Sequence, residues 1–241
     1  MADNALTNPF GGSVSLANAD AMANALAGSS ADGRQGGAPD GSDFLNFSGK
    51  RGAYEFGPDK EDVDSSEVWL VNIAAFEDGY ICWKGGSPVA TRMSNIFNGN
   101  PIAEPAHDEL GPFDTNNGEG WHKAKSMVIK SVDEDDRQGY FKINSKSGVS
   151  AFADLQGMVA DRFRAGQAAW PLIQLDKEQF TAKGHKNFKP SLTVYGWLDD
   201  AAVAELAGNP EADLDALIKG SDSSQDEQDQ GRGRGRGRRN L

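Results

Sequence analysis

Runs of apolar residues alternate with long polar segments along the chain, and most of these runs predict β-strands. Six runs are rich in β-branched and aromatic residues and have the length of strands. They lie at 67–76, 80–85, 121–132, 140–144, 170–175 and 191–198. The turn-like triplet EDG separates the first two runs, and DEDDRQG separates the next two, so each pair is predicted to form a hairpin. The basic segment DKEQFTAKGHKNFKP is predicted to be a loop between the last two strands.

One segment has helical rather than strand periodicity. Its apolar residues, between 152 and 163, recur at steps of three and four, which predicts an amphipathic helix of about four turns. Ser147 or Ser150 is predicted to cap its start, and Gly166 to end it. Residues 86–120 are dense in Gly, Pro, Asn and Asp and are predicted to be a long loop.

The order of these elements predicts the fold class and the domain organisation. We expect a mainly β (α+β) fold, an OB-like five-stranded barrel with one helix between strands 3 and 4. The predicted parts are a disordered N-terminal arm at 1–43, the β-rich domain at 44–198, a C-terminal helix pair at 199–220, and a disordered tail at 221–241 that is first acidic and then Gly-Arg-rich.

Composition narrows the cellular setting. The single cysteine, Cys82, allows no internal disulfide, which suits a reducing compartment. The N-terminus lacks the features of a secretory signal, and no stretch approaches 18 consecutive apolar residues. We therefore expect a cytoplasmic protein, in the host cytoplasm if it is phage-encoded, with no membrane association.

No motif in the sequence indicates catalysis or metal binding. The three histidines are far apart and Cys82 has no cysteine nearby, so zinc-ligand spacing is absent. The segment GKRG (49–52) lacks the spacing of a phosphate loop, and DTNNGEG has Lys125 where a calcium loop needs a glutamate. The sequence therefore predicts a protein that is not an enzyme and that uses no cofactor or metal.

Aromatic and lysine residues alternate on the predicted strands, a mixture that suits single-stranded nucleic acid. Aromatic rings stack on exposed bases, and lysines neutralise phosphates without reading sequence. The predicted stacking residues are Tyr80, Trp83, Trp121, Tyr140 and Phe188. The predicted phosphate contacts are Lys84, Lys123, Lys125, Lys142, Lys183, Lys186 and Lys189.

The chain has a formal net charge of −12, yet it ends in GRGRGRGRRNL. Arginine planes both pair with phosphates and stack on bases, so this segment is predicted to be an auxiliary nucleic-acid contact. Its arginines are Arg232, Arg234, Arg236, Arg238 and Arg239. The acidic stretch before it can compete for a basic groove or recruit replication or recombination proteins.

The layout of residues 44–241 resembles bacteriophage-type single-stranded DNA-binding proteins of the replication module. The shared features are a low-complexity arm, one β-rich domain with aromatic and lysine residues, and a polar acidic tail. The segments INSKSGVSAFADL and KGHKNFKPSLTVYGW are also similar to a phage protein family. The arginine-rich end departs from the acidic end that such tails usually have.

These observations favour a non-enzymatic protein that binds single-stranded DNA and coats strand intermediates in replication or recombination. Two alternatives stay open. One is a virion structural or decoration protein, and the other is an RNA-binding protein that acts through the Gly-Arg tail. The sequence leaves homo-oligomerisation and the choice between DNA and RNA open.

Overall fold

The structure is a computed structural model. It describes residues 42–97, 100, 102–133, 137–182, 184–209 and 211–222. Nearly all of the predicted arm (1–43) and tail (221–241) lies outside the described residues, so the predictions for them stay predictions.

In the described residues the chain is mainly β, as predicted, with one curled half-barrel sheet, three α-helical segments and a short 3-10 helix at Thr115–Asn117. The strands are β1 (Asp43–Ser48), β2 (Ala53–Phe56), β3 (Glu61–Asp62), β4 (Val68–Lys84), β5 (Ser87–Asn95), β6 (Gly120–Ser131), β7 (Gln138–Ile143), β8 (Trp170–Ala182) and β9 (His185–Leu198). The helices are α1 (Lys146–Ala165), α2 (Asp200–Gly208) and a helical segment at 214–222. Nine strands replace the five that the OB-like prediction requires.

The sheet follows the order β3-β2-β1-β7-β6-β4-β8-β9, and β5 pairs with the C-terminal half of β4. Strands β1 and β7 pair in parallel, whereas the other pairs are antiparallel. The helix α1 follows β7 directly, so it lies between the seventh and eighth strands along the chain and not between the third and fourth.

The predicted hairpin at 67–85 is wrong, because this segment is the single 17-residue strand β4. Its pairing with β6 shifts between Asn72 and Glu77, where the four residues of β4 between these positions lie opposite one residue of β6. Such a bulge bends the strand. The polar triplet EDG, which suggested a turn, is part of β4. The side chain of Glu77 accepts hydrogen bonds from Ser126 and Tyr140, and that of Asp78 accepts from Lys125, so these polar residues have partners within the sheet.

The predicted loops at 86–120 and 176–190 are also partly strand. Residues 87–95 form β5, and β8 and β9 continue through the basic segment and stay paired as far as Ala182 and His185. We call residues 176–182 and 184–191 of this long hairpin the hairpin arm. The arm reaches the β1–β2 turn, where the backbone N–H of Phe188 donates to the carbonyl of Gly49 at 2.9 Å.

Two further contacts fix the hairpin arm in place. The hydroxyl of Tyr54 lies 2.8 Å from the carbonyl of Asp176 and 3.1 Å from that of Ser191. The ring of Phe188 lies over Gly52, where a Cβ atom would come within 2.5 Å of the ring. Gly52 also has a positive φ of 63°, so only glycine suits both the turn and the close approach of the ring.

The core lies between one face of the sheet and α1. The rings of Phe141 and Phe152 meet there at 5.1 Å, and the apolar residues that predicted the helix are buried. Gly166 ends α1 in the left-handed conformation, as predicted. The prediction of its start is wrong, because the side chain of Ser145 caps it.

Candidate nucleic-acid interface

A groove of about 1170 Å³ opens where four parts of the sheet meet. Its walls come from β1 and the turn after it, from the β4–β5 hairpin, from the end of β7 with the start of α1, and from the hairpin arm. The lining residues that matter below are Phe44, Asn46, Lys50, Trp83, Lys142 and Ser145, with Phe180, Asn187 and Phe188 from the arm.

Two exposed aromatic side chains line the groove. Phe44 is 43% exposed and Phe180 is 42% exposed, which are high values for large apolar residues. Val89, at 51%, lies in the same groove. A contiguous patch of exposed apolar side chains commonly marks a binding site.

The charge of the lining contrasts with that of the chain. The chain has 36 acidic residues, yet no Asp or Glu side chain is among the described residues that line the groove. The two charged residues that line it are Lys50 and Lys142. The groove is therefore locally cationic in an acidic protein, and the local field governs which ligands approach.

The N-terminus of α1 adds partial positive charge to the same wall. Asn144, Ser145 and Ser147 line the groove, and the first turn of the helix has no acidic residue. Backbone N–H groups at a helix N-terminus favour a nearby anion.

Lys142 lies among rings at the groove wall. Its Nζ is 5.9 Å from the ring centre of Phe44 and 5.7 Å from that of Tyr140. Burial lowers the pKa of the Lys142 ammonium, and the carboxylate of Glu77 opposes that shift. Glu77 is itself fixed, since Ser126 Oγ and Tyr140 OH donate to its Oε2 at 2.7 and 2.8 Å.

The hairpin arm supplies another wall of the groove. Lys177 Nζ is 5.8 Å from the ring centre of Phe188, and Lys189 pairs with Glu178 at 2.8 Å. Asn187 lines the groove beside Phe188, and its Nδ2 donates to the carbonyl of His185 at 3.0 Å.

Three of the predicted contact residues meet in this groove: Trp83, Lys142 and Phe188. Lys186 and Lys189 lie on the hairpin arm that forms one wall. Lys183 and the five tail arginines lie outside the described residues, and their predicted roles stay predictions.

Two of the predicted contact residues are buried and do not line the groove. Tyr140 is 1% exposed, and its ring contacts Phe44 rather than solvent. Lys125 is 6% exposed, and its ammonium donates to both carboxylate oxygens of Asp78 and to Gln156 Oε1, each at 2.6 Å. Burial lowers the pKa of Lys125, and Asp78 offsets part of that shift.

The other predicted residues lie on the opposite face of β4 and β6 from Ile81 and Trp83, which line the groove. Tyr80 pairs with Lys123, and Cys82 pairs with Trp121, so the four side chains share a face. Lys84 Nζ donates to the carbonyl of Leu110 at 3.0 Å, which places it on the loop between β5 and β6. Tyr80, Lys84, Trp121 and Lys123 therefore do not converge with the groove.

Trp121 has a structural role in the loop. The guanidinium of Arg92 lies 4.7 Å from the ring centre of Trp121, and the indole N–H donates to the carbonyl of Glu109 at 3.0 Å. Arg92 also pairs with the Glu109 carboxylate. The ring links the loop to the sheet.

We therefore expect Trp121→Ala to lower the melting temperature and to leave oligonucleotide affinity within about twofold, because the ring lies away from the groove. A hydrogen bond and a cation–π contact of this kind each contribute about 0.5–1.5 kcal/mol. Thermal melting and fluorescence anisotropy at fixed salt measure the two effects. A large loss of affinity in a folded Trp121→Ala protein would show that the groove is not the binding site.

Sequence reasoning missed Phe44, Lys50 and Phe180. The signal was present in the segment FLNFSGK, which has the same mixture of aromatic and basic residues as the predicted strands. Phe180 was hidden because its segment was interpreted as a loop of charged residues.

The described residues contain no cluster of three or more His, Cys, Asp or Glu side chains placed to hold a metal ion. Among them, no helix combines the length and the hydropathy that a membrane crossing requires.

Comparison with protein-family models, with curated proteins and with solved structures found no match to the chain.

Proposed function

We propose that the protein binds single-stranded DNA in this groove, without catalysing a reaction, and coats strand intermediates in replication or recombination of the bacteriophage type. The observation that carries the proposal is the lining of the groove. In an acidic chain, it combines exposed aromatic rings with two lysines and with no carboxylate among the described lining residues.

The rings provide the stacking surface that an unpaired base needs. Phe44 and Phe180 expose more than two fifths of their area, and Trp83 and Phe188 line the same space. Each base stacked on an aromatic side chain gains about 1–3 kcal/mol, and this gain is nearly independent of sequence. Paired bases inside a duplex do not offer their faces, so stacking favours single strands.

The lysines and the N-terminus of α1 bind the phosphates of the strand. Lys50 and Lys142 line the groove, and the N-terminus of α1, which lines it too, favours a nearby anion. Pockets for small molecules usually measure about 300–1,000 Å³. The groove, at about 1170 Å³, exceeds that range and has room for a short chain segment.

The test is a titration of the full-length chain with fluorescent dT12, with matched duplex DNA and with rU12, over a series of salt concentrations. A second protein, in which serine replaces the five tail arginines, isolates the groove from the tail. For this variant we expect preference for the single strand and a slope of log K against log salt of about −1.4, because two lysines each contribute about −0.7.

Each outcome has a separate meaning. Tight, salt-sensitive binding of single strands by the serine variant supports the proposal. Equal affinity for duplex, or no binding at low salt, contradicts it. Binding of rU12 that disappears with the tail arginines would favour the RNA-binding alternative instead.

A further inference from the structure

The hairpin arm is held by contacts at its base and nearer its tip. At the base, the hydroxyl of Tyr54 lies 2.8 Å from the carbonyl of Asp176 and 3.1 Å from that of Ser191, one on each strand of the arm. Nearer the tip, the backbone N–H of Phe188 donates to the carbonyl of Gly49 at 2.9 Å. The side chains of β8 in the arm are exposed, so these contacts, rather than burial in the core, fix the position of the arm.

The two faces of the hairpin arm carry different rings. In the register of β8 with β9, Phe180 pairs with Asn187, and Gln179 pairs with Phe188. Paired residues share a face and successive residues alternate between faces, so Phe180 and Phe188 lie on opposite faces of the arm. Phe180 is 42% exposed and lines the groove, whereas the ring of Phe188 contacts the β1–β2 turn. Phe188 therefore holds the arm from one face while Phe180 presents its ring on the other.

The absence of a side chain at Gly52 allows this contact. A Cβ atom there would lie 2.5 Å from Cγ of Phe188 and 2.7 and 2.8 Å from its two Cδ atoms. These distances are shorter than a Cβ atom tolerates, so any side chain at this position must displace the ring. The same ring lies 5.8 Å from Lys177 Nζ within the arm. Because Phe188 also forms the backbone hydrogen bond to Gly49, displacing its ring moves the arm.

We propose that Gly52 is a positioning residue of the groove. It accommodates the ring of Phe188, this ring fixes the hairpin arm, and the fixed arm holds Phe180 in the groove. Gly52 does not itself line the groove, so it acts on a bound strand through the arm. An arm that is already in place loses little freedom when a base stacks on it, which favours binding. This inference rests on the proposed function, in which Phe180 stacks on a base.

The test measures the affinity of the full chain and of Gly52→Ala for fluorescent dT12 at fixed salt. We expect a loss of roughly 5- to 150-fold, because a displaced arm removes the stacking of one base on Phe180. Gly52→Asn is a second variant, since asparagine tolerates a positive φ better than alanine but still places a Cβ atom against the ring. It should lose affinity in the same way with a smaller loss of stability. Thermal melting identifies the temperatures at which each variant is folded.

Gly57→Ala is the matched control for backbone strain. The φ of Gly57 is 70°, close to the 63° of Gly52, so alanine is similarly strained at both positions. Beyond its chain neighbours, a Cβ atom at Gly57 meets no atom of the described chain within 4 Å, so it displaces no ring. We expect Gly57→Ala to lower the melting temperature and to leave the affinity for dT12 unchanged. Equal losses of affinity in Gly57→Ala and Gly52→Ala would overturn the positioning role.

The change Phe180→Ala separates positioning from a general loss of structure. In this background the ring that the arm positions is absent, so adding Gly52→Ala should weaken binding much less than it does in the unaltered chain. The same loss in both backgrounds, or no loss in the unaltered chain, would overturn the role of Gly52 and leave the proposed function standing. If the unaltered chain does not bind dT12, the proposed function fails, and the positioning role fails with it.

Discussion

Asp78→Ala is expected to lower the free energy of unfolding by about 3–5 kcal/mol, because it leaves the buried ammonium of Lys125 without its counter-charge. The side chains of Asp78 and Lys125 are 8% and 7% exposed, and the two carboxylate oxygens each accept from Nζ at 2.6 Å. After the change, Gln156 Oε1 remains as the acceptor at 2.6 Å. Urea denaturation at pH 7 measures the loss.

The double variant Asp78→Ala with Lys125→Met is the control for this pair. It removes both charges, so most of the lost stability should return. Lys125→Met alone should leave oligonucleotide affinity unchanged, since Lys125 does not line the groove. A loss below about 1 kcal/mol in Asp78→Ala would mean that water reaches Lys125 in the folded protein.

The stability lost in Asp78→Ala should also depend on pH. Without Asp78, burial leaves the folded-state pKa of Lys125 further below its unfolded value of about 10.4. The folded protein then loses this proton at a lower pH than the unfolded chain does. The stability deficit of Asp78→Ala should therefore shrink as the pH rises from the folded-state pKa toward about 10.4.

Hydrophobic patterning located the elements that are buried on one side, such as β6, β7 and α1. It failed where polar residues have partners inside the sheet. The triplet at 77–79 has the composition of a turn, yet Glu77 accepts from Ser126 and Tyr140, and Asp78 pairs with Lys125. The partner of Asp78 lies 47 positions away in sequence. The local pattern therefore cannot distinguish this buried aspartate from one in a solvated turn.

The hairpin arm shows the same limit for exposed strands. Residues 176–182 are exposed and mostly polar, so no alternation marks them as a strand. They extend β8 because the backbone pairs with β9 and because Tyr54 and Gly49 hold the arm. These contacts come from a segment more than 120 residues earlier in the chain.

The lining of the groove was predictable only in part. The mixture of rings and lysines identified Trp83, Lys142 and Phe188, which do line the groove. The face that each strand residue occupies depends on pairing between distant segments, and here the bulge between Asn72 and Glu77 alters the pairing of β4. The sequence pattern therefore could not show that Trp121 and Lys123 lie across the sheet from Trp83.

Replacing Phe44 and Phe180 together with alanine is expected to weaken dT12 binding by about 2–6 kcal/mol, at least about thirtyfold, because each ring stacks on one base. The two rings belong to different elements that line the groove, β1 and the hairpin arm, so a strand that fills the groove is expected to contact both. Fluorescence anisotropy at fixed salt measures the loss. The slope of log K against log salt should stay the same, since no cation is removed.

The matched control replaces Met158 and Tyr195 with alanine. These residues are 39% and 44% exposed, which is close to the exposure of Phe44 and Phe180, but they do not line the groove. The control removes a similar amount of exposed apolar surface and should bind dT12 as the unaltered chain does. If the two double variants lose affinity equally while both melt as folded proteins, stacking in the groove is not the source of binding. If only the groove variant loses it, the rings of Phe44 and Phe180 are the stacking surface.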